Sequence, residues 1–451
     1  MPSVMGDLIL NNKFHQFDNN TSIQNYNYKL MTTSINFKNK FVRASRFMAL
    51  VCAFGIPWSN GFFNWGFYLM MIFFILGFRQ NSSWREVLKN PAVIVALSMF
   101  FYIFLRTIIS TTSWDFGRPD LFNYRKLLAI PIFISLFNTT AQKKQLAISY
   151  CLGVCVLMLP TLIDGFGYSN LIEHFSFFHK NAAYGVTYNG TPNHNFVYWR
   201  NQIAHGFHVS TLFTACILGA IYYRKHRFGL IALAFICALD LIFFIYGRMA
   251  LLSLFFSMLA IALIFFHSKK NIATLIAITL LMIATAYVTI PSVKIRLSSI
   301  QTETHDYMAN KDKAYTSAGL RLFYYKVSYE MFKESPIFGT GSGSFKQRLR
   351  DTKNSLADLG AGHTHDEYLT QLSMYGIIGL ILFICLIWIA LKNARLIEDK
   401  WLANFTTIAI AIFCLSATSD SSLHNDWEGW TFILFVSIAC SKQYKTQYIP
   451  I

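Results

Sequence analysis

Charge is what this chain has least of. Asp, Glu, Lys and Arg together make up 14% of its 451 residues while 54% are hydrophobic; soluble domains carry roughly a quarter charged. That balance excludes two or three ordinary soluble domains, because so much apolar surface needs a bilayer to hide in. Acidic residues are the scarcer kind, 22 against 39 basic ones, for a net charge of +17. The basic excess lies mainly in short loops between apolar runs, so it is a topology signal and excludes a nucleic-acid-binding face. Cysteine is sparse too. The eight present (52, 151, 155, 216, 237, 385, 414 and 440) all fall in or beside apolar runs, which points to small buried hydrophobes and excludes a disulfide framework. Residues 1–46 lack a short apolar segment ending in a small-residue cleavage site, so no cleavable signal peptide is expected. The one glycine-rich stretch, Gly339-Thr340-Gly341-Ser342-Gly343, has no Gly-Lys-Ser/Thr ending. It is therefore no nucleotide loop, and is expected to be a flexible turn with its amides facing outward.

What the chain does have is apolar runs. They recur at 47–59, 61–78, 90–110, 126–137, 145–163, 202–222, 228–247, 248–267, 271–291, 368–391, 402–418 and 428–440. Most are long enough to span a bilayer as helices, which predicts an all-α polytopic membrane protein of about twelve spans. The run at 126–137 is short and carries Pro131, which predicts a broken helix or one reaching into its flanks. With the N-terminus cytoplasmic, every expected inner loop is basic, including Arg79, Arg85 and Lys89, then Lys143 and Lys144, then Arg224, Lys225 and Arg227. Removing or adding one span would break that alternation. The expected organisation is a cytoplasmic tail at 1–46, nine spans over 47–291, a large periplasmic loop containing helices at 292–367, three spans over 368–440 and a tail at 441–451. The shorter segments 110–125 and 164–201 fall on the same outer side.

The richest chemistry is His363-Thr364-His365-Asp366-Glu367, at the mouth of the run 368–391. Ionisable groups at a membrane–water boundary usually mark a substrate or ion path. His365 suits a general base, since it titrates near neutrality and a neighbouring carboxylate can orient it. His363, Asp366 and Glu367 are expected to help bind substrate. A metal site is the alternative for this pair of histidines, but its further ligands would be scattered ones such as His305 and His424, so none is expected. Arg248 lies between two apolar runs with almost no polar loop, where an unpaired guanidinium is costly; Asp240 is a candidate structural partner. Arg321 sits near the start of a helix-like stretch over 317–333 with apolar residues at 320, 323, 327 and 331. Two guanidiniums on the histidine's side of the membrane are suited to bidentate phosphate binding. Arg200, with His205 and His208 just beyond it, is expected to line a cleft. Gly376 and Gly379 are expected to permit close helix packing.

With those residues in hand, the chain resembles the bacterial O-antigen ligase and polymerase superfamily. The shared pattern is a His, an amide or Ser, nine residues, then Gly-x-x-Gly, which reads here as His365, Asp366, Gly376 and Gly379. Asp366 departs from the usual Asn, Ser or Gln. Tyr246-Gly247-Arg248-Met249 is similar to the family's arginine-led helix start, without the usual preceding Ser or Thr. Ser317-Ala318-Gly319-Leu320-Arg321 and Pro336-Ile337-Phe338-Gly339-Thr340-Gly341 are similar to its loop helix and following turn. The resemblance implies a multi-pass inner-membrane glycosyltransferase of lipopolysaccharide biosynthesis, with its active site facing the periplasm. The implied donor is a glycan on undecaprenyl pyrophosphate and the implied acceptor is lipid A-core, with no cofactor. His365 would be the base and Arg248 and Arg321 the pyrophosphate clamp. O-antigen polymerase and protein O-oligosaccharyltransferase share this chemistry and differ in acceptor. A transporter for lipid-linked glycan is the alternative from another class.

Overall fold

The computed structural model describes residues 40–77, 84–168, 201–245, 248–265, 291–309, 316–351 and 363–442, with scattered positions between 273 and 289. Among the described residues helices are the sole regular element. In chain order they are α1 (40–55), α2 (Asn60–Gly77), α3 (Trp84–Leu88), α4 (Pro91–Ile109), α5 (Trp114–Asn123), α6 (Ile130–Leu136), α7 (Thr140–Gly165) and α8 (Gln202–Tyr222). Then come α9 (Arg227–Leu239), α10 (Arg248–Phe265), α11 (Pro291–Ala309), α12 (Ser317–Glu334), α13 (Ser344–Asp351), α14 (Glu367–Ala394), α15 (Lys400–Ser416) and α16 (Asp426–Cys440).

Among the described residues seven helices are long and apolar enough to cross a membrane: α2, α4, α7, α8, α9 with its flanking turns (Arg224–Phe244), α10 and α14. Their outward faces carry the side chains a soluble protein hides, such as Trp65, Phe228 and Trp388, which are 74%, 88% and 68% exposed. Leaving such rings in water would cost about 1.5–3 kcal/mol each. The chain is an all-α membrane protein. Three of the expected spans form shorter helices, α6, α15 and α16, while the run at 271–291 lies mostly outside the described residues. Pro131 does mark a break: a 3-10 turn over Tyr124–Ala129 leads into α6, with the proline in its first turn. Two boundaries differ from the sequence reading. The first helix already covers 40–46, and the segment 110–125 holds α5 where a loop was expected.

The centre of the bundle is α8, which is buried along most of its length and packs on α9, α10 and α15. Its histidines are tied off inside the protein. His205 Nε2 lies 3.0 Å from Asp240 Oδ2, both fully buried, and His208 Nδ1 lies 2.8 Å from the Tyr150 hydroxyl. Asp240 sits where α9 widens into a π-helical turn over Asp240–Phe244. It therefore partners His205, not Arg248.

Candidate active site

The site is built around a break in a membrane helix. Within α14, Gly376 has φ 67° and ψ −167°, a conformation open essentially to glycine alone. The backbone groups freed there must find partners, because no water reaches them in a bilayer. The turn after α12 provides them. Pro336 and Ile337 carbonyls accept from the amides of Ile377 (2.9 Å) and Ile378 (3.4 Å), and the amides of Thr340 and Gly341 donate to the carbonyls of Ser373 (3.1 Å) and Met374 (2.8 Å). A Cβ on Gly339 would lie 2.3 Å from the Met374 carbonyl carbon, and one on Gly376 would lie 2.2 Å from the Ile337 oxygen. Both glycines are there because two backbones meet. From α4, Arg106 donates to the Gly339 carbonyl at 2.6 Å and Tyr102 to that of Tyr375 at 2.9 Å. The glycine turn is thus docked, with amides facing inward, and Gly376 breaks a helix where a packing motif was expected.

A second segment, the buried loop between α15 and α16, is pinned by two buried charges. Glu367 accepts through Oε2 from the amides of Leu423 (3.0 Å) and His424 (3.1 Å). Its Oε1 accepts from Gln371 Nε2 (2.7 Å) and the Tyr124 hydroxyl (3.2 Å). On the other side, fully buried Lys126 donates to the carbonyls of His424 (3.2 Å) and Asn425 (2.6 Å). That loop carries Asp420 and His424 to the histidine cluster. Asp120 of α5 joins it, lying 3.0 Å from His424 Nε2 through Oδ1 and accepting from the Gly343 amide at 2.8 Å through Oδ2.

At the centre, one carboxylate oxygen faces two imidazoles. Asp420 Oδ1 is 3.4 Å from His365 Nδ1 and 3.9 Å from His363 Nδ1. Neither approach closes a short, aligned hydrogen bond, and catalytic pairs of this kind often tighten only around substrate. The His363 ring lies 4.6 Å from that of His365 and 5.4 Å from that of His424, and Tyr324 of α12 stacks on His365 at 5.8 Å. Among the described non-glycine residues only His365 has positive φ, 54°, a strained backbone of the sort held in place at functional sites. Burial pushes the His363 imidazole down to about 3, so it is neutral at physiological pH. Burial alone would raise Asp420, but the approach of His365 and the two imidazoles beside it outweigh it, and its carboxyl is held below the usual range. An anionic carboxylate on Nδ1 leaves His365 Nε2 for a substrate. Asp420 also supplies the ligand that the sequence did not reveal: the donor atoms of His363, His365 and Asp420 lie within 4.8 Å of one another and could hold a metal ion.

The arginines enter through α12. Thr316 caps this helix by accepting from the Gly319 amide at 3.1 Å. Arg321 lies one turn before Tyr325, whose phenol is raised by burial and by Asp366, with the Arg321 charge acting in the opposite direction. Arg248, at the start of α10, makes no direct contact with the histidines. It pairs with Glu303 of α11 and donates to Ser299 Oγ at 2.7 Å, while the other Glu303 oxygen accepts from the Ala318 amide at 2.9 Å. One carboxylate therefore links Arg248 to the first turn of the Arg321 helix.

Of the residues expected from sequence, His363, His365, Asp366 and Glu367 come together beside the Arg321 helix, and Arg248 connects to it through Glu303. Glu367 is fully buried with both oxygens engaged in holding the loop. Arg200 lies outside the described residues, and His305, a candidate ligand, is exposed beside Asp306. Sequence reasoning missed Asp420, the place of His424 in the cluster, Asp120 and the pairing of Glu303. A signal existed for the first two: a run of small polar residues at 419–426, between two apolar runs and on the outer side by the same charge alternation.

Asp366 gives a pH-dependent test. It caps α14, accepting from the Leu369 amide at 2.9 Å, and burial pushes its carboxyl up to about 6 against the pull of backbone amides. A native value above the unfolded one favours the protonated carboxyl, so this group's contribution to stability is fully present below its ordinary 3.8 and lost as pH rises through about 6. Asp366→Asn keeps the cap and removes the titration. Thermal melts should show the variant gaining on wild type between pH 4 and about 7. A difference that stays flat across that window would contradict this account.

Fold and site together define a class: a multi-pass helical membrane protein with a buried acid–base cluster at the mouth of a broken membrane helix. The O-antigen ligase family profile matches residues 233–384, from α9 into α14. Among curated relatives, an uncharacterized protein of Haemophilus influenzae is 30% identical over 173 residues, covering 36% of this chain and 43% of the relative. A Rickettsia conorii protein bearing the provisional name of polysaccharide ligase is 30% identical over 137 residues, covering 29% of this chain and 32% of its own. The matched region spans less than half the length of either relative.

Proposed function

We propose that this protein is a glycosyltransferase of the O-antigen ligase type. It would transfer a glycan from undecaprenyl pyrophosphate to lipid A-core at the periplasmic face of the inner membrane, within a bundle of about twelve spans. One observation carries the reading: His365 is held between the Asp420 carboxylate and the Tyr324 ring of the helix that bears Arg321. Transfer needs a base for the acceptor hydroxyl and positive charge for the departing pyrophosphate. In this reading His365 Nε2 takes the hydroxyl proton as the new bond forms at the anomeric carbon. Asp420, on Nδ1, stabilises the imidazolium that results. The bond from the anomeric carbon to the pyrophosphate oxygen breaks, and Arg248 and Arg321 receive the leaving group. Glu303 holds Arg248 between turnovers and yields it to phosphate. His363 and Asp366, beside the base, would contact the sugars, as would Arg200; Glu367 would shape the site by positioning the loop. A single displacement inverts the anomeric configuration, and a product of retained configuration would exclude it.

The test is a reconstitution. Purified protein receives lipid-linked O-glycan and lipid A-core in the presence of chelator, in parallel with the His365→Ala variant. Glycan on lipid A-core from wild type alone supports the ligase and the metal-free base together. Activity lost to chelator and restored by a divalent ion would favour a metal on His363, His365 and Asp420. Lengthened glycan would make the protein a polymerase, and transfer only to a protein acceptor an O-oligosaccharyltransferase. Movement of lipid-linked glycan across the bilayer with no new glycosidic bond would make it a transporter.

A further inference from the structure

The spacing around Asp420 fits a shared ion better than it fits a pair of hydrogen bonds. A hydrogen bond between imidazole and carboxylate draws the heavy atoms to about 2.7–3.2 Å, yet Oδ1 stands 3.4 Å from His365 Nδ1 and 3.9 Å from His363 Nδ1. Both nitrogens are shielded from solvent, and neither has a hydrogen-bond partner among the described residues. Ligand atoms at about 2.0–2.1 Å from a tetrahedral Zn2+ stand roughly 3.3 Å apart. The edge from His365 to Asp420 has that length already. All three donor atoms lie within 4.8 Å of one another, so small rotations of the rings complete the set.

The donors are also held ready. The Ser421 amide donates to the same Asp420 oxygen at 2.9 Å, and the Tyr324 ring stacks on His365. Such outer contacts fix the orientation of metal ligands. His424 is not a fourth ligand, because its Nε2 is engaged by Asp120 at 3.0 Å and by Asn123 at 2.9 Å. A water molecule would complete the tetrahedron from the open side, where the His365 side chain is 33% exposed. Two imidazoles and a carboxylate suit Zn2+, whereas Mg2+ and Ca2+ take oxygen ligands.

We propose that His363, His365 and Asp420 form an inhibitory Zn2+ site, whose occupancy switches glycan transfer off. The inhibition rests on the glycosyltransferase reading with His365 as base; the binding of the ion does not. Its cause is the tautomer. Without the ion, the ring's one proton sits on Nδ1 against Asp420, and the Nε2 lone pair is free to take a proton. Zn2+ takes the Nδ1 lone pair, so the proton moves to Nε2. An Nε2–H donates and cannot accept, so the acceptor hydroxyl keeps its proton. Asp420, now a ligand, no longer stabilises an imidazolium.

Binding is read with Co2+ in place of Zn2+ on the purified full chain, since four-coordinate Co2+ absorbs visible light far more strongly than the hydrated ion. Wild type should give this signal, Zn2+ should bleach it, and His363→Gln and Asp420→Asn should each lose it. Transfer is then followed after chelator treatment, with Zn2+ alone added back and each protein compared with its own zinc-free rate. Wild type should lose activity as Zn2+ rises and regain it with chelator. Half-inhibition of His363→Gln should need at least about tenfold more Zn2+, and His363→Cys, which keeps a zinc ligand, should recover the sensitivity. Wild type that transfers glycan without giving the Co2+ signal would overturn the inference, as would transfer that continues unimpaired with the ion bound, or that requires it. Equal inhibition of wild type and His363→Gln would place the ion elsewhere, on exposed His305 or on the donor's phosphates, as an adventitious ion only. A Co2+ signal that depends on His363 and Asp420, in a protein performing no transfer, would leave the metal site standing and bring down the glycosyltransferase reading alone.

Discussion

His365→Ala should lower glycan transfer by about 10²–10⁴-fold, the usual range for a general base. Asp420→Asn should cause a loss of the same order, and His363→Gln a much smaller one. The ordering follows from the geometry around one oxygen. Asp420 Oδ1 is closer to His365 Nδ1 than to His363 Nδ1, 3.4 Å against 3.9 Å. In the proposed reaction the carboxylate would select the His365 tautomer with its proton on Nδ1 and stabilise the charge that the ring acquires. Asparagine keeps the shape and loses the charge. His363 is half-buried and pushed down by burial to about 3, so it stays neutral and cannot substitute as base near neutral pH. Initial rates at saturating donor, with membrane insertion of each variant verified, measure the three effects. An Asp420→Asn variant as active as wild type would remove the carboxylate from the mechanism. A His363→Gln loss equal to that of His365→Ala would point instead to the two histidines acting together, as they would around an ion.

The second large effect is structural. Gly376→Ala should destabilise the protein by more than 3 kcal/mol, or prevent its accumulation in the membrane. A non-glycine residue in this backbone region costs of order 1–3 kcal/mol by itself. The added Cβ would also lie 2.2 Å from the Ile337 carbonyl oxygen, so the turn from 336 to 341 must lift off. Lifting it removes the partners of Ile377, Ile378, Ser373 and Met374, in a place where water does not replace them. The same displacement would draw Gly343 away from Asp120 and disturb the His424 contact. Thermal unfolding of purified variant and wild type in one detergent reads the difference. A Tm within a degree or two of wild type would mean that the break does not depend on glycine.

The apolar runs by themselves determined the class and the seven long apolar helices among the described residues. The expected 202–222 became Gln202–Tyr222, 90–110 became Pro91–Ile109 and 368–391 became Glu367–Ala394. This was legible because burying twenty apolar side chains in lipid and satisfying their backbone within one segment are local requirements. His365 and the arginines were legible for a related reason: ionisable groups beside such runs are costly enough to need a use. Tertiary structure alone decided what those groups meet. Arg248 found Glu303 on another helix when Asp240, in the run just before it, had His205. Glu367, adjacent to the histidines in sequence, holds a loop, while Asp420 arrives from that loop to face them. Gly376 and Gly379 carry the spacing of a helix-packing motif, yet Gly376 is where the helix breaks, because spacing carries no information about φ. Partners brought together across the chain depend on which faces of the bundle meet, and helical periodicity records only that a face is apolar, never what will cover it.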